Sequence, residues 1–504
     1  MKAVVIGSGI AGLTSAALLA KAGADVQVFE QNPFIGGITA FARKSGYCWE
    51  NGPLLLSDFL PGERAYEILK SLGITVPVIQ KDRGIEMPDF ALWHPKEYGG
   101  RFWRRERLKE LFPQDAKGID AYYRFYENMM RVAYYGRLCE EKRNPLHKLQ
   151  LFWYWQTVKK FAPLDADAVT RHFFKSEEIR SLLTCILADT CTKPSEAPGL
   201  GVPFFNIETA FDKRIPLTLR GKQIFGGYCY FKGGVEKLVA ALAENITARG
   251  GKIRTSAAVT KINTKDGQVT GVTLADGSVV DADIVVASGG GREIFCDLLG
   301  LEHLDDAYRN AIENFRPMEA VFMVHLGVDF DPMQYQPSEL CYYYSTYDIE
   351  KSVENVRNGV YHEGDEGFLI YIPSAVSPEM APEGRHCVTI YTICPDTLKE
   401  GDWNDLEEKY ADKLVSLAEK HIPGLLQHTK ERLIMSPVAF RKLTHLKKSS
   451  FGGLTLIRDA PAPAHVTPVK GLYFVGAQSE SKGGVAGVLM GAKRAFDQIK
   501  ELRR

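Results

Sequence analysis

The sequence has no cysteine pair spaced as CxxC and no histidine pair spaced as HExxH, although it holds nine cysteines and 11 histidines. Neither a disulfide framework nor a zinc site is built this way, so we expect no metal and a reduced, cytoplasmic setting. Charge of one sign is not in excess: Lys plus Arg and Asp plus Glu are both 62, a formal net charge of +0. With no overall field to attract it, nucleic acid is not an expected partner. Beyond the N-terminus there is no uncharged apolar run of the roughly 20 residues that span a bilayer. Repeats and low-complexity linkers are missing too. With 504 residues, 45% hydrophobic and 25% charged, what remains is a globular chain of two or three domain-sized units.

What is present begins at once. The stretch MKAVVIGSGIAGLTSAALLAKAGA opens like a secretory signal, but Gly7, Gly9 and Gly12 interrupt it. KAVVIG predicts a buried strand, AGLTSAALLAKAG a helix closing at Gly23, and DVQVFE a second strand ending at Glu30. In this βαβ unit Gly7 permits the tight turn, Gly9 lets backbone approach a pyrophosphate, and Gly12 lets helix pack on strand. Ile10 and Ala11 then open a helix whose free N–H groups face the phosphates. Glu30, followed by Gln31, is placed to accept hydrogen bonds from an adenosine ribose. A second glycine pair, Gly36 and Gly37, runs into Ile38 and Thr39, and GYCWENGPLLL brings Glu50, Gly52, Pro53 and Leu54. Two cradles so close together suit the long ligand FAD better than NAD.

These motifs, together with FFKSEEIRSLLT, KPSEAPGL, YFKGGVEKLVAALAENITARGGKI and GLYFVGAQSESKGGVAGVLMGAKRA, resemble the FAD-dependent amine-oxidase and phytoene-desaturase superfamily. The closest likeness is to its carotenoid desaturase, carotenoid isomerase and retinol saturase branch, and it covers nearly the whole chain. The resemblance implies an α/β fold: a discontinuous Rossmann-like, glutathione-reductase-like FAD-binding domain with an inserted α+β substrate domain. It assigns 1–95, 226–295 and 445–504 to the first, and 96–225 and 296–444 to the second. It implies that Val259 lies at the adenine end and that Ala287 and Ser288 close a strand near the pyrophosphate. It also implies that Gly476, Ala477, Gly484, Val485 and Val488 complete the flavin site. The resemblance also marks two departures: Ala477 stands where amine and porphyrinogen oxidases usually carry Asp, and Ile38 where desaturases and isomerases commonly carry Arg or Lys.

The chemistry so implied is desaturase-like hydride exchange at the flavin with an apolar polyene or isoprenoid-like substrate. Saturation and cis/trans isomerisation stay open on the same scaffold, as do amine or porphyrinogen oxidation and non-catalytic prenyl binding of the Rab GDP-dissociation inhibitor kind. No Ser–His–Asp or Cys–His set is present to act as a nucleophile, and Glu480 and Lys482 are the candidates for moving a proton. The electron donor or acceptor, whether oxygen, a quinone or a reductase, is not encoded in these motifs. Residues 146–164 mix Trp, Phe, Tyr and Leu with Lys148, Lys159 and Lys160. This suggests a substrate-domain helix or a peripheral contact at the inner face of a membrane.

Overall fold

The structure, a computed structural model, describes residues 1–52, 54–80, 83–98, 102–141, 144–208 and 228–502. Pro53 and the boundary expected at 225/226 lie outside the described residues. Five parallel strands form the first sheet: β1 (Lys2–Ile6), β2 (Asp25–Phe29), β3 (Lys252–Arg254), β4 (Ile284–Ser288) and β5 (Leu472–Val475). Their order is β5-β4-β1-β2-β3, so the strand after the first glycine motif is central.

A purely parallel sheet has to be covered on both faces. Helices α1 (Ile10–Lys21), α2 (Glu236–Thr247) and α3 (Val485–Glu501) cover one, sharing a core with Ala3, Val5, Val26 and Val28. Every residue of α1 from Ile10 to Ala20 is buried, which is the place for a helix that is apolar all round. The other face packs on an antiparallel layer of Val259–Lys265, Gln268–Leu274 and Val279–Asp281. Its first hairpin turns through Asp266 and Gly267, at φ +52° and +74°, the left-handed pair that a two-residue turn requires.

A second sheet of seven strands has Ala320–Val328 and His386–Cys394 near one end and Gly367–Tyr371 and Leu340–Tyr344 in its middle. One face packs on the helix Trp403–Glu419 through Phe322, Trp403, Ala411 and Leu414. The other turns Tyr342, Tyr371, Tyr391 and Met323 toward Leu54 and Tyr230. The sheet also takes in Gly84–Glu86 and Ala91–Leu92, with Gly84–Glu86 pairing in parallel with Leu340–Tyr344. Residues 84–92 thus join the second sheet, whereas the resemblance assigned everything up to 95 to the first domain. Alternation cannot tell which sheet a short strand joins. Helices between Trp103 and Thr184 make a separate block around Phe102, Tyr122, Tyr126 and Phe161.

Candidate flavin site

A cleft of about 420 Å³ opens where β1, β2, β4 and β5 end and α1 and α3 begin. Gly7 turns at φ +88°, and a Cβ there would stand 2.3 Å from the Ser288 carbonyl oxygen. A Cβ on Gly12 would stand 2.1 Å from the Gly7 oxygen, so Gly12 sets how closely helix approaches strand. Gly9 differs, because nothing lies within 4 Å of a Cβ built there. It starts α1 without a side-chain cap, leaving the first helical N–H groups for a ligand.

Gly36 and Gly37 come back over this loop at φ +113° and +58°. Gly36 N donates to Ser8 O at 3.0 Å, and a Cβ on Gly37 would lie 3.5 Å from Gly9 Cα. The two glycine motifs are therefore one cradle in space. Thr39 closes the turn by donating its hydroxyl to Gly36 O at 2.7 Å. Glu30, at the end of β2, is buried and lines the cleft. One of its oxygens accepts from Ser8 N and Oγ, the other from Asn32 N.

The C-terminal part arrives through β5. Gly476, at φ +118°, and Ala477 follow it, and Gly484 starts α3 with open space around its Cβ position and no side-chain cap. Val485 and Val488 line the same cleft, together with Ile10, Ala11, Gln31, Ile38, Val259 and Ser288.

Three expected residues do not line the cleft. Gly12 serves the helix–strand contact, and Ala287 is fully buried in β4 among Ile6, Ile294 and Phe474. Strand alternation turns Ala287 from the cleft and leaves Ser288 at its rim. Leu54 packs with Tyr230 and Met323 in the second sheet's cluster. Pro53 lies outside the described residues.

Neither proton-transfer candidate lines the cleft. Glu480 accepts the His465 N–H at 2.8 Å, and its own N–H donates to Pro463 O at 2.8 Å. These bonds hold it on the 463–465 segment. Lys482 turns at φ +56° with its N–H on Ser479 O, and burial pushes its ammonium pKa down.

Sequence spacing missed a second group. Asn32 donates from Nδ2 to Leu443 O at 3.0 Å and is hydrogen-bonded to His445 Nε2 at 2.9 Å, drawing residues 443–447 along the cleft. Gln478 Oε1 accepts the Gly291 N–H at 2.7 Å and ties the loop after β4 to the loop after β5. Lys447 donates to Asp297 Oδ1 at 2.8 Å, and this bond holds its pKa above the usual lysine range. Only Ser8, a hydroxyl between two motif glycines, carried a signal that sequence reading could have used.

Backbone N–H groups at two helix starts, a double glycine cradle and a buried acid lining the cleft fit FAD along its length. This fold and cleft define an FAD-dependent oxidoreductase. The chain belongs to the flavin-containing amine oxidoreductase family, whose description "Flavin containing amine oxidoreductase" matches residues 10–500. It is similar to prolycopene isomerase 1 of an Oncidium hybrid cultivar, 26% identical over 496 residues that cover 94% of this chain and 79% of the relative. It is also similar to the 4,4'-diapolycopene oxygenase of Methylomonas sp, 24% identical over 526 residues that cover 99% of this chain and 98% of that one. An oxidoreductase structure from Methanosarcina mazei shares the fold at a TM-score of 0.65 and 22% identity, covering 99% and 100% of the two chains.

Proposed function

We propose that the protein acts on C–C or C=C bonds of an apolar polyene or isoprenoid-like substrate, in the manner of a desaturase. The observation that carries this reading is the wall beside the cleft. Ile38, Leu443 and Phe451 line the cleft and belong to the same apolar cluster as Tyr230, Met323, Tyr342, Tyr371 and Tyr391 on the second sheet. Such a wall orients a conjugated chain and keeps water away. The bound flavin supplies hydride exchange at its N5. Glu50, held by the Val235 N–H at 2.9 Å and the Tyr371 hydroxyl at 3.0 Å, fastens α2 to that wall. Relatives named for prolycopene and diapolycopene support a polyene, and the prolycopene isomerases favour cis/trans isomerisation as the second reading.

The place of work we propose is the cytoplasm, against the inner face of a membrane, where an apolar substrate dissolves. Among the described residues no helix is long and apolar enough to cross a membrane. The test is anaerobic incubation of FAD-loaded protein with a panel of polyenes, retinoids and enones, following flavin bleaching and product mass. Loss of two hydrogens supports desaturation, gain of two supports saturation, and changed geometry at constant mass supports isomerisation. A panel that leaves flavin and substrate geometry unchanged, while amines bleach the flavin, overturns the polyene reading.

A further inference from the structure

The helix Pro145–Val158 has two apolar faces where a surface helix has one. His147, Leu151, Tyr154 and Val158, at i, i+4, i+7 and i+11, face inward. Leu151 and Tyr154 pack on Tyr134, Tyr135 and Leu138 of the helix Ala116–Glu141. Tyr154 stacks on Tyr135 with ring centres 5.7 Å apart, and the Arg131 guanidinium lies 5.1 Å from the Tyr154 ring centre. The helix is therefore firmly seated on one side.

The opposite face carries Leu146, Leu149, Phe152 and Trp153, which are 64%, 64%, 60% and 69% exposed. Scattered exposed apolar side chains need no explanation, but four along one arc of a single helix do. The charge of the segment has one sign. From Lys142 to Leu164 the sequence contains Lys142, Arg143, Lys148, Lys159 and Lys160 and no Asp or Glu. Lys148, Lys159 and Lys160 are exposed. Acids on adjoining elements are already engaged: Glu140 pairs with Arg64 at 3.0 Å, Glu127 with Arg131 at 3.8 Å, and Asp165 caps the next helix by accepting the Ala168 N–H at 2.7 Å.

We propose that this face docks on an anionic lipid bilayer, with Leu146, Leu149, Phe152 and Trp153 entering the acyl boundary and the three lysines meeting the headgroups. An apolar, Trp-bearing face flanked by lysines lies in the interface plane, its cationic heads reaching back to the headgroups. The chain as a whole is neutral, so attraction to the membrane comes from this segment. A second copy of the chain on the same face would set lysines against lysines. This proposal sharpens the membrane setting given above, and only its consequence, that an apolar substrate reaches the enzyme from lipid, rests on the polyene reading.

The test uses the full FAD-loaded chain sedimented with sucrose-loaded vesicles, of phosphatidylcholine alone or mixed equally with phosphatidylglycerol. Binding is expected on the anionic vesicles and to weaken as salt rises. The double variant Leu149→Glu, Trp153→Glu is expected to lower that binding at least about tenfold, with flavin absorbance and thermal midpoint unchanged because both residues are exposed. The pair Lys159→Glu, Lys160→Glu is expected to abolish the preference for anionic lipid. A wild-type chain that stays in the supernatant with both vesicles, or a Leu149→Glu, Trp153→Glu chain that sediments as well as wild type, overturns the proposal. So does a dimer in light scattering that this variant converts to monomer without any vesicle binding. No polyene enters the assay, so a negative substrate panel and a negative sedimentation result are told apart.

Discussion

Ser8 donates twice to one oxygen of Glu30, through its backbone N–H at 2.9 Å and its hydroxyl at 2.6 Å. The glycine loop after β1 and the acid after β2 are thereby a single rigid unit. The second Glu30 oxygen holds the Asn32 N–H at 2.8 Å, and Asn32 in turn holds residues 443 and 445.

Replacing Glu30 by Gln puts an N–H₂ group where one of these oxygens accepts. Hydrogen bonds to a charged group contribute about 1.5–3 kcal/mol each. Glu30→Gln is therefore expected to weaken FAD retention at least about tenfold, read as flavin fluorescence released on dilution. Unchanged retention removes Glu30 from the site.

Gly9 and Gly12 separate binding from folding. Gly9 sits at φ −67°, ψ 171°, a conformation open to any residue, with free space at its Cβ position. Gly9→Ala should fold with a near-normal thermal midpoint and lose FAD affinity, because the methyl group occupies cofactor space. At Gly12 the added Cβ meets the Gly7 oxygen at 2.1 Å, so α1 must move off the sheet. Overpacking of this kind costs about 1–3 kcal/mol, and Gly12→Ala should lower the midpoint even in apoprotein.

Asp189 accepts the Tyr342 hydroxyl at 2.9 Å, and burial pushes its carboxyl up to about 7, against the opposing pull of that bond and of Arg83. The folded chain thus keeps a proton that the unfolded chain releases near 3.8. The resulting stabilisation is complete below that value and is lost as pH rises toward 7. Asp189→Asn retains an acceptor for Tyr342 and cannot ionise. Its melting temperature should vary less than that of wild type across this window and exceed it above pH 7.

His325 shows the opposite sign. It lies fully buried in the strand Ala320–Val328, bonded through Nδ1 to Thr389 Oγ1 at 2.9 Å and stacked on Trp49 with ring centres 5.7 Å apart. Burial pushes its pKa down to about 3 from 6.5, so the folded chain holds it neutral. Its contribution is complete above 6.5 and is lost as pH falls toward 3. Acid unfolding of His325→Gln should show a shallower loss of stability across this range, on top of a pH-independent cost of about 1–3 kcal/mol.

The cradle was legible in the sequence because its rules are local. Gly7, Gly9 and Gly12 are spaced by the turn from strand to helix, and Glu30 follows from the length of one helix and one strand. The hairpins at Asp266–Gly267 and Asp276–Gly277 were legible for the same reason, since a tight turn selects its own residues. Ala477 and Ile38, singled out by resemblance alone, both line the cleft.

By itself, then, the sequence determined the βαβ unit, the glycines at its strand-to-helix turn and the buried acid that follows its second strand. Only the tertiary structure decided that Glu480 is taken up by His465, that Asn32 locks onto His445, and that residues 84–92 join the second sheet. It alone decided that Glu50 reaches Tyr371 and that the outer face of the helix Pro145–Val158 is left bare. The physical reason is reach. A turn or a helix start constrains residues a few positions apart, whereas a buried hydrogen-bonding group takes whichever partner packing brings to it, in these cases up to 413 positions along the chain.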